Sequence, residues 1–175
     1  MEKTAKWVMD PTHSELTFRV KHMMISNVKG EFKNFTVEVD GEDILKSQIK
    51  VTIDASSINT NNGDRDNHLK SADFFDAENH KQLEFTSTEI KKKNDSEYEL
   101  KGNLTIRGNT KEVTLLLEYG GSNKDPWGNE KAGLSIEGKI NRHDFGLNWN
   151  TALETGGVLV SEEVRIAAEV QFVKQ

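Results

Sequence analysis

The chain has 175 residues, with 23 Lys and Arg against 29 Asp and Glu, which gives a formal net charge of −6. This length suits one domain, and we take residues 1–175 as a single domain. An acidic chain is a poor electrostatic partner for nucleic acid or anionic lipid headgroups, so neither is expected to bind it. The absence of Cys excludes disulfides, thiolate nucleophiles and iron–sulfur clusters.

The amino terminus, from Met1 to Trp7, contains no apolar stretch typical of a signal peptide. No apolar run approaches the roughly 20 residues that span a bilayer, so no integral membrane segment is expected. The sequence as it stands predicts a cytoplasmic protein. A periplasmic or secreted location would follow if a signal peptide has been removed.

Apolar residues alternate with polar residues along most of the chain, which predicts β-strands. In the run from Ser14 to His22, one face carries Leu16, Phe18, Val20 and His22. The same period of two returns over residues 49–53, 83–85, 98–106, 113–119, 134–140 and 164–172. The phase changes between Phe32 and Phe35, which predicts a bulge or bend near Lys33–Asn34.

Turn-forming residues separate these runs. Gly108–Asn109 predicts a tight hairpin, and residues 120–131 predict a long connection. Two stretches without strand periodicity, residues 62–71 and 148–153, predict short helices that begin at Asn or Asp caps.

About eight strands with few helices to cover a face predict an all-β protein, an antiparallel eight-stranded β-barrel with short helical segments in its loops. The alternative is a two-sheet sandwich, because both folds bury one face of each strand.

Small residues interrupt three of the apolar faces, namely Gly102, Gly138 and Ala168. At similar heights in a barrel they would leave a dry void that can hold hydrocarbon. The alternative is that the glycines mark bulges or barrel corners. His22 would bind a backbone carbonyl or face a ligand's polar end, while Trp127 and Trp149 would cap a barrel end or simply pack.

No arrangement of residues indicates catalysis. The five histidines lack a metal-binding spacing, so we expect neither a metal site nor a cofactor. His13 and Ser14 are neighbours that point to opposite faces of a strand, which argues against a catalytic triad. The protein is therefore predicted not to be an enzyme.

The order of motifs along nearly the whole chain resembles the YceI-like polyisoprenoid-binding family. The pattern begins with Trp7, Asp10, His13 and Ser14, and continues with Val28-x-Gly30-x-Phe32. Its most specific block contains Ser57-Ile58-Asn59-Thr60, Arg65-Asp66-x-His68-Leu69-Lys70-Ser71 and Asp73-Phe74-Phe75-Asp76. After this block, the pattern continues with Gly102-x-Leu104-Thr105-Ile106-Arg107-Gly108 and Asn141-Arg142-x-Asp144-Phe145-Gly146, and it ends with Glu163-Val164-x-Ile166.

The resemblance implies a lipocalin-like barrel that binds, transports or stores a long-chain isoprenoid or similar amphiphilic lipid without catalysis. Alternation places Phe18, Val20, Phe85, Leu100, Leu104, Leu115, Ile136 and Ile166 along the interior. We expect His22, Arg65 and Trp149 near the polar end of the ligand. An alternative for Arg65 is an ion pair with Asp66 that fixes the loop.

The sequence is also compatible with two other functions. In the first, the barrel has a filled core and binds a protein partner through loops 62–75 and 120–131. A lipid hydrolase or isomerase would require His22 or His143 beside a carboxylate or hydroxyl group. An unpaired edge strand would favour a homodimer.

Overall fold

The strands form one antiparallel sheet in a computed structural model that describes residues 7–23, 25–150 and 160–174. They are β1 Trp7–Met9, β2 Glu15–His22, β3 Ser26–Phe32, β4 Phe35–Val39, β5 Ile49–Asp54, β6 Ile58–Asn59, β7 Gln82–Lys92, β8 Glu97–Ile106, β9 Asn109–Lys124, β10 Glu130–Asn141 and β11 Val160–Lys174. Helix α1 spans Gly63–Lys70, and short 3-10 turns span Pro11–His13, Ile44–Lys46, Ala55–Ser57 and Arg142–Phe145. No helix within the described ranges is long and apolar enough to cross a membrane.

The sheet closes into a barrel because β11 pairs with β1 as well as with β10. The ring of hydrogen-bonded neighbours runs β1-β4-β5-β7-β8-β9-β10-β11 and returns to β1. Val8 of β1 lies opposite Glu38 on one side and Val173 on the other. The predicted eight-stranded antiparallel barrel is therefore confirmed, and the sandwich alternative is wrong because the ring leaves no gap between two sheets.

Three adjacent positions of the ring are occupied by strands that bend and continue. β2 continues β1, β6 continues β5, and β3 runs into β4 across Lys33–Asn34, where the bend was predicted. β2 pairs with β11 from Val160 to Glu169, β3 pairs with β2, and β6 pairs with β3. Residues 60–81, which include α1, connect β6 to β7 and pack against the core at one end of the barrel. We call this end of the barrel the α1 end; it also carries the β2–β3 and β8–β9 turns.

The interior follows the predicted alternation. Inward side chains of β8, β9, β10 and β11 are buried, and they include Leu100, Leu117, Leu134 and Phe172. Phe145, from the 3-10 turn after β10, is also buried and belongs to the same core cluster. The barrel beyond the α1 end is therefore a packed core.

The space above two interior glycines is filled, so the predicted void there is wrong. A Cβ added at Gly102 would meet the Phe85 ring, and one added at Gly138 would meet Cδ2 of Leu115. Phe85 and Leu115 lie on the adjacent strands β7 and β9 and are buried. The β7–β8 ladder also shifts register next to the pair formed by Ser87 and Gly102, so the bulge alternative holds at Gly102.

Two connections differ in detail from the prediction. The β8–β9 turn consists of Arg107 and Gly108, with φ of 51° and 74°, while Asn109 pairs with Ile106. Positive φ at both central residues is typical of a type I′ hairpin, which matches strand twist. The long loop predicted at 120–131 is mostly strand, because β9 continues to Lys124 through a register shift next to Gly121, which has a φ of 84°.

The helix predicted over residues 62–71 is confirmed as α1. The side-chain oxygen of Asn62 accepts the N–H of Arg65 at 3.0 Å and so caps the first turn. The helix predicted over 148–153 is not found at residues 148–150, which are irregular, and residues 151–153 lie outside the described residues. A 3-10 turn forms earlier instead, at Arg142–Phe145, where the side chain of Asn141 provides the cap.

Asp10 fixes the bend between β1 and β2. One carboxylate oxygen accepts the Thr12 N–H at 3.0 Å and the Thr12 hydroxyl at 2.7 Å, and the other lies 2.8 Å from His13 Nδ1. These hydrogen bonds, first from Thr12 and then from His13, lower the pKa of Asp10 to about 2. The folded structure therefore stabilises the charged form of the Asp10 carboxyl group.

We expect Asp10→Asn to flatten the acid dependence of stability. A carboxyl group whose pKa is lower in the folded state stabilises the fold above its unfolded pKa, and this contribution is lost as the pH falls through the folded value of about 2. Urea unfolding between about pH 5 and pH 2 measures the slope. An unchanged slope in Asp10→Asn would contradict the assignment.

We expect Gly102→Ala to lower the free energy of unfolding by about 1–3 kcal/mol, because the added methyl overlaps the Phe85 ring and the Thr86 carbonyl oxygen. Denaturant unfolding followed by Trp fluorescence measures this loss. Gly133→Ala is the matched control, since the nearest atom to its new methyl is the Val170 carbonyl oxygen at 4.0 Å. Equal stability of the two variants would argue against a packed interior at Gly102.

Candidate ligand cavity

A partly enclosed cavity of about 260 Å³ lies at the α1 end of the barrel. Its walls combine strand residues with residues of the 60–81 segment and of the stretch that follows β10. They are Leu16, Thr17, Phe18, Val20, Lys21, His22, Val28, Phe32, Ile53, Arg65, His68, Leu69, Phe74, Phe75, Leu83, Leu104, Ile106, Ile140, Arg142, Leu147, Trp149, Val160, Val164 and Ile166. Aliphatic and aromatic side chains predominate, so the interior of the cavity is apolar.

The predicted ligand-binding residues divide into two groups. Those that line the cavity are Phe18, Val20, His22, Arg65, Leu104, Trp149 and Ile166. The others, Phe85, Leu100, Leu115 and Ile136, lie in or against the packed core. The cavity therefore occupies one end of the barrel and does not extend along its whole axis.

Sequence periodicity missed the part of the wall that does not come from strands. Leu69, Phe74 and Phe75 follow or end a polar helix, and Leu147 lies in an irregular stretch. The one available signal was the apolar pair Phe74–Phe75 within a polar segment, which must be buried somewhere. The sequence does not say against which strands.

An aromatic cluster forms one wall of the cavity. The ring of His68 lies 5.1 Å from the Phe74 ring and 4.7 Å from the Trp149 ring, both in edge-on geometry, and Phe74 and Trp149 are 5.4 Å apart. His68 Nε2 also lies 2.9 Å from a carboxylate oxygen of Asp73. These contacts join α1 to the residues that follow β10.

Trp127 does not share this role. It lies between β9 and β10 at the opposite end of the barrel, and 82% of its surface is exposed. The expectation that it caps or packs against the barrel is wrong, because the shortened loop carries its side chain away from the core.

Thr60 fixes Arg65 at the cavity wall. The Arg65 guanidinium donates to the Thr60 hydroxyl and to the Thr60 carbonyl oxygen, both at 2.8 Å. Asp66 accepts the Thr60 N–H at 2.8 Å and also the Thr60 hydroxyl. Arg65 and Asp66 thus both bind Thr60, and together they fix the start of α1.

Arg142 is a buried cation that holds the loop and strand around the cavity. Its guanidinium donates to four carbonyl oxygens, those of Leu147 at 2.6 Å, Trp149 at 2.9 Å, Val160 at 3.2 Å and Ser161 at 2.8 Å. Only 3% of its surface is exposed, and burial lowers the pKa of Arg142 below its usual value, although nearby Glu162 opposes this shift. Arg142 therefore positions Trp149 and the first residues of β11.

The ionisable side chains that line the cavity are all bases. They are Lys21, His22, Arg65, His68 and Arg142, and none of the lining residues is Asp or Glu. An apolar chain that carries a hydrogen-bond acceptor or a negative charge fits such walls better than a cation does. In the described ranges, no group of three or more His, Asp or Glu is placed to hold a metal ion.

We expect Arg142→Met to lower the free energy of unfolding by at least about 2 kcal/mol, because several buried carbonyl groups lose their donor. Thermal unfolding measures the loss. Arg165→Met is the control, since Arg165 is exposed on the outer face of β11. Comparable melting temperatures for both variants would show that Arg142 does not hold the loop.

The comparisons with known proteins agree with this fold. The YceI-like domain model matches residues 7–172. A UPF0312 protein of Staphylococcus epidermidis is 42% identical over 170 residues, which cover 95% of this chain and 96% of the relative. The crystal structure of a Campylobacter jejuni YCEI protein is 36% identical, with a TM-score of 0.77 over 89% of this chain and 90% of the other.

A more distant likeness shows the fold alone. The polyisoprenoid binding domain from Saccharophagus degradans is 14% identical, with a TM-score of 0.75, and the match covers 99% of this chain and 100% of that domain. The YceI-like domain match and the two relatives of higher identity also show the family, because they extend over almost the whole chain. The chain belongs to the YceI-like domain family.

Proposed function

We propose that the protein binds a long-chain isoprenoid or similar amphiphilic lipid at the α1 end of the barrel, and transports or stores it without chemical change. The observation that carries this proposal is the cavity of about 260 Å³, whose walls are apolar and whose ionisable groups are all bases. Each CH₂ group that enters such walls gains about 0.8 kcal/mol, so a chain binds with few polar contacts. The polyisoprenoid binding domain of similar fold supports an isoprenoid as the ligand class.

The cavity size indicates how such a chain would be held. Sites for small molecules usually measure about 300–1,000 Å³, and this cavity, at about 260 Å³, is slightly smaller. We infer that it takes one end of a long chain, while the rest of the chain extends beyond it. Arg65 and His68 are positioned to bind a polar group, since both line the wall and are held by Thr60 and Asp73.

The direct test is native mass spectrometry of the protein purified from its own host, followed by organic extraction of whatever it carries. A stoichiometric long-chain lipid would establish the function and identify the ligand. An empty protein that also fails to take up added geranylgeraniol and fatty acids would overturn the proposal and favour a barrel that binds a protein partner.

We expect Val20→Trp to weaken geranylgeraniol binding at least about tenfold, because an indole ring in the cavity displaces two or more methylene groups of the ligand. Native mass spectrometry at graded ligand concentrations measures this change. Val8→Trp is the matched control, since Val8 lies on β1, outside the cavity, and is 43% exposed.

A second variant keeps this test decisive if Val20→Trp fails to fold. Val164→Phe adds bulk from β11, directly across the ladder from Val20. Thermal unfolding identifies which variants fold. Unchanged uptake by a folded variant of this pair would place the ligand elsewhere.

A further inference from the structure

Four exposed cations form a row across the outer face of neighbouring strands β10, β11, β2 and β3. Each lies directly opposite the next in the ladder, in the order Lys139, Arg165, Arg19 and Lys29. Like charges in such positions destabilise a sheet, so folding does not explain the row. In the described part of the chain, only Lys139 of the four has an ion pair, with Glu163 at 3.5 Å.

The row crosses a shallow groove of about 870 Å³ on the outside of the barrel. Two carboxylates, Glu31 and Glu137, also line the groove, one row away from the cations. With Glu163, the partner of Lys139, three carboxylates face the four cations, so the groove keeps a small excess of positive charge in a chain whose net charge is −6. The overall charge, which predicts no affinity for anionic headgroups, therefore conceals a surface of the opposite sign.

Two of these strands, β2 and β3, are joined by an apolar turn. Ile25 is 83% exposed and Met23 is 44% exposed, and nothing in the described part of the chain covers them. From Arg19 to Lys29 the sequence contains no Asp or Glu, and Lys21 is also exposed. An apolar tip whose nearest charged residues along both strands, Lys21 and Lys29, are cations is typical of a segment that enters a lipid surface with negative charge.

The tip also lies beside the cavity. Val20, His22 and Val28, from the two strands that carry the tip, line the cavity wall. Lys21 is two residues from Met23, and Arg19 is four, which corresponds to about 7 Å and about 13 Å along a strand. With the tip among acyl chains, Lys21 lies at headgroup depth, and the cation row lies about one Debye length away.

We propose that the β2–β3 turn docks the α1 end of the barrel on a lipid bilayer that contains anionic headgroups, with Ile25 and Met23 inserted and the cation row facing the headgroups. This inference rests on the proposed function for its purpose, since a lipid ligand has to leave or enter a membrane beside the cavity. An acidic protein would match the row, but it would leave the exposed tip unexplained.

The experiment is sedimentation of the ligand-free protein with vesicles of phosphatidylcholine, with and without phosphatidylglycerol, at low and high salt. We expect binding to the phosphatidylglycerol vesicles, and weaker binding at high salt because ions screen the cation row. Ile25→Ser is expected to lower the partition coefficient about tenfold. The double variant Arg19→Gln/Lys29→Gln is expected to lower it about 30-fold at low salt.

Matched controls carry the same kinds of change at the opposite end of the barrel. Trp127→Ser removes an apolar side chain that is as exposed as Ile25, and Lys92→Gln/Lys93→Gln removes two exposed cations near the β7–β8 turn. Both controls are expected to bind the vesicles as the wild type does. Equal losses in the controls and the test variants would overturn the proposal.

Three other outcomes would also overturn the proposal. They are failure of the wild type to prefer anionic vesicles, full binding by both test variants, and loss of binding in the cation variant alone. The last would indicate a purely electrostatic contact without insertion. Geranylgeraniol uptake in vesicle-free buffer separates docking from ligand binding, because neither Ile25 nor the cation row lines the cavity.

Discussion

The architecture depends on one constraint, which is that β11 pairs along a single edge with both β1 and β2. The ring β1-β4-β5-β7-β8-β9-β10-β11 has no free edge, and β2 follows β1 along β11 after the chain bends at Asp10–Ser14. Their partners bend with them, at Lys33–Asn34 and at Ala55–Ser57. The barrel therefore has two different halves. The half with continuous ladders is filled, and the half beyond the bends is where the cavity lies.

The two halves bury their polar groups in different ways. In the packed half, the strand ladders satisfy the backbone, and apolar side chains such as Phe85 and Leu115 fill the interior over glycines. At the α1 end, irregular segments bring carbonyl groups to the cavity that no ladder can pair. Arg142 and Arg65 provide the missing donors. The positive character of the cavity thus follows from how its wall is built, and the same guanidinium groups make the walls unsuited to a cationic ligand.

The sequence could predict what depends on local period and turn chemistry. Strand alternation, the bend near Lys33–Asn34 and the Asn62 cap of α1 were all readable, because each rests on residues close together in the chain. The position of the cavity could not be predicted from the sequence. Whether Gly102 leaves a hole depends on the side chain of Phe85 across a ladder, and hence on register. Arg65 was singled out through its motif, but its position on the wall depends on how residues 60–81 pack against the strands.

The pairing of β11 also constrains the order in which the protein can fold. β11 is synthesised after the ten other described strands, and it is the neighbour of β10, β1 and β2. Until residues 160–174 leave the ribosome, those three strands lack a partner along one edge. Val8, for example, cannot pair with Val173 before then. Contacts across such a sequence separation make folding slow, and unpaired edges favour association with other chains. Barrel closure therefore cannot begin until residues 160–174 have been synthesised.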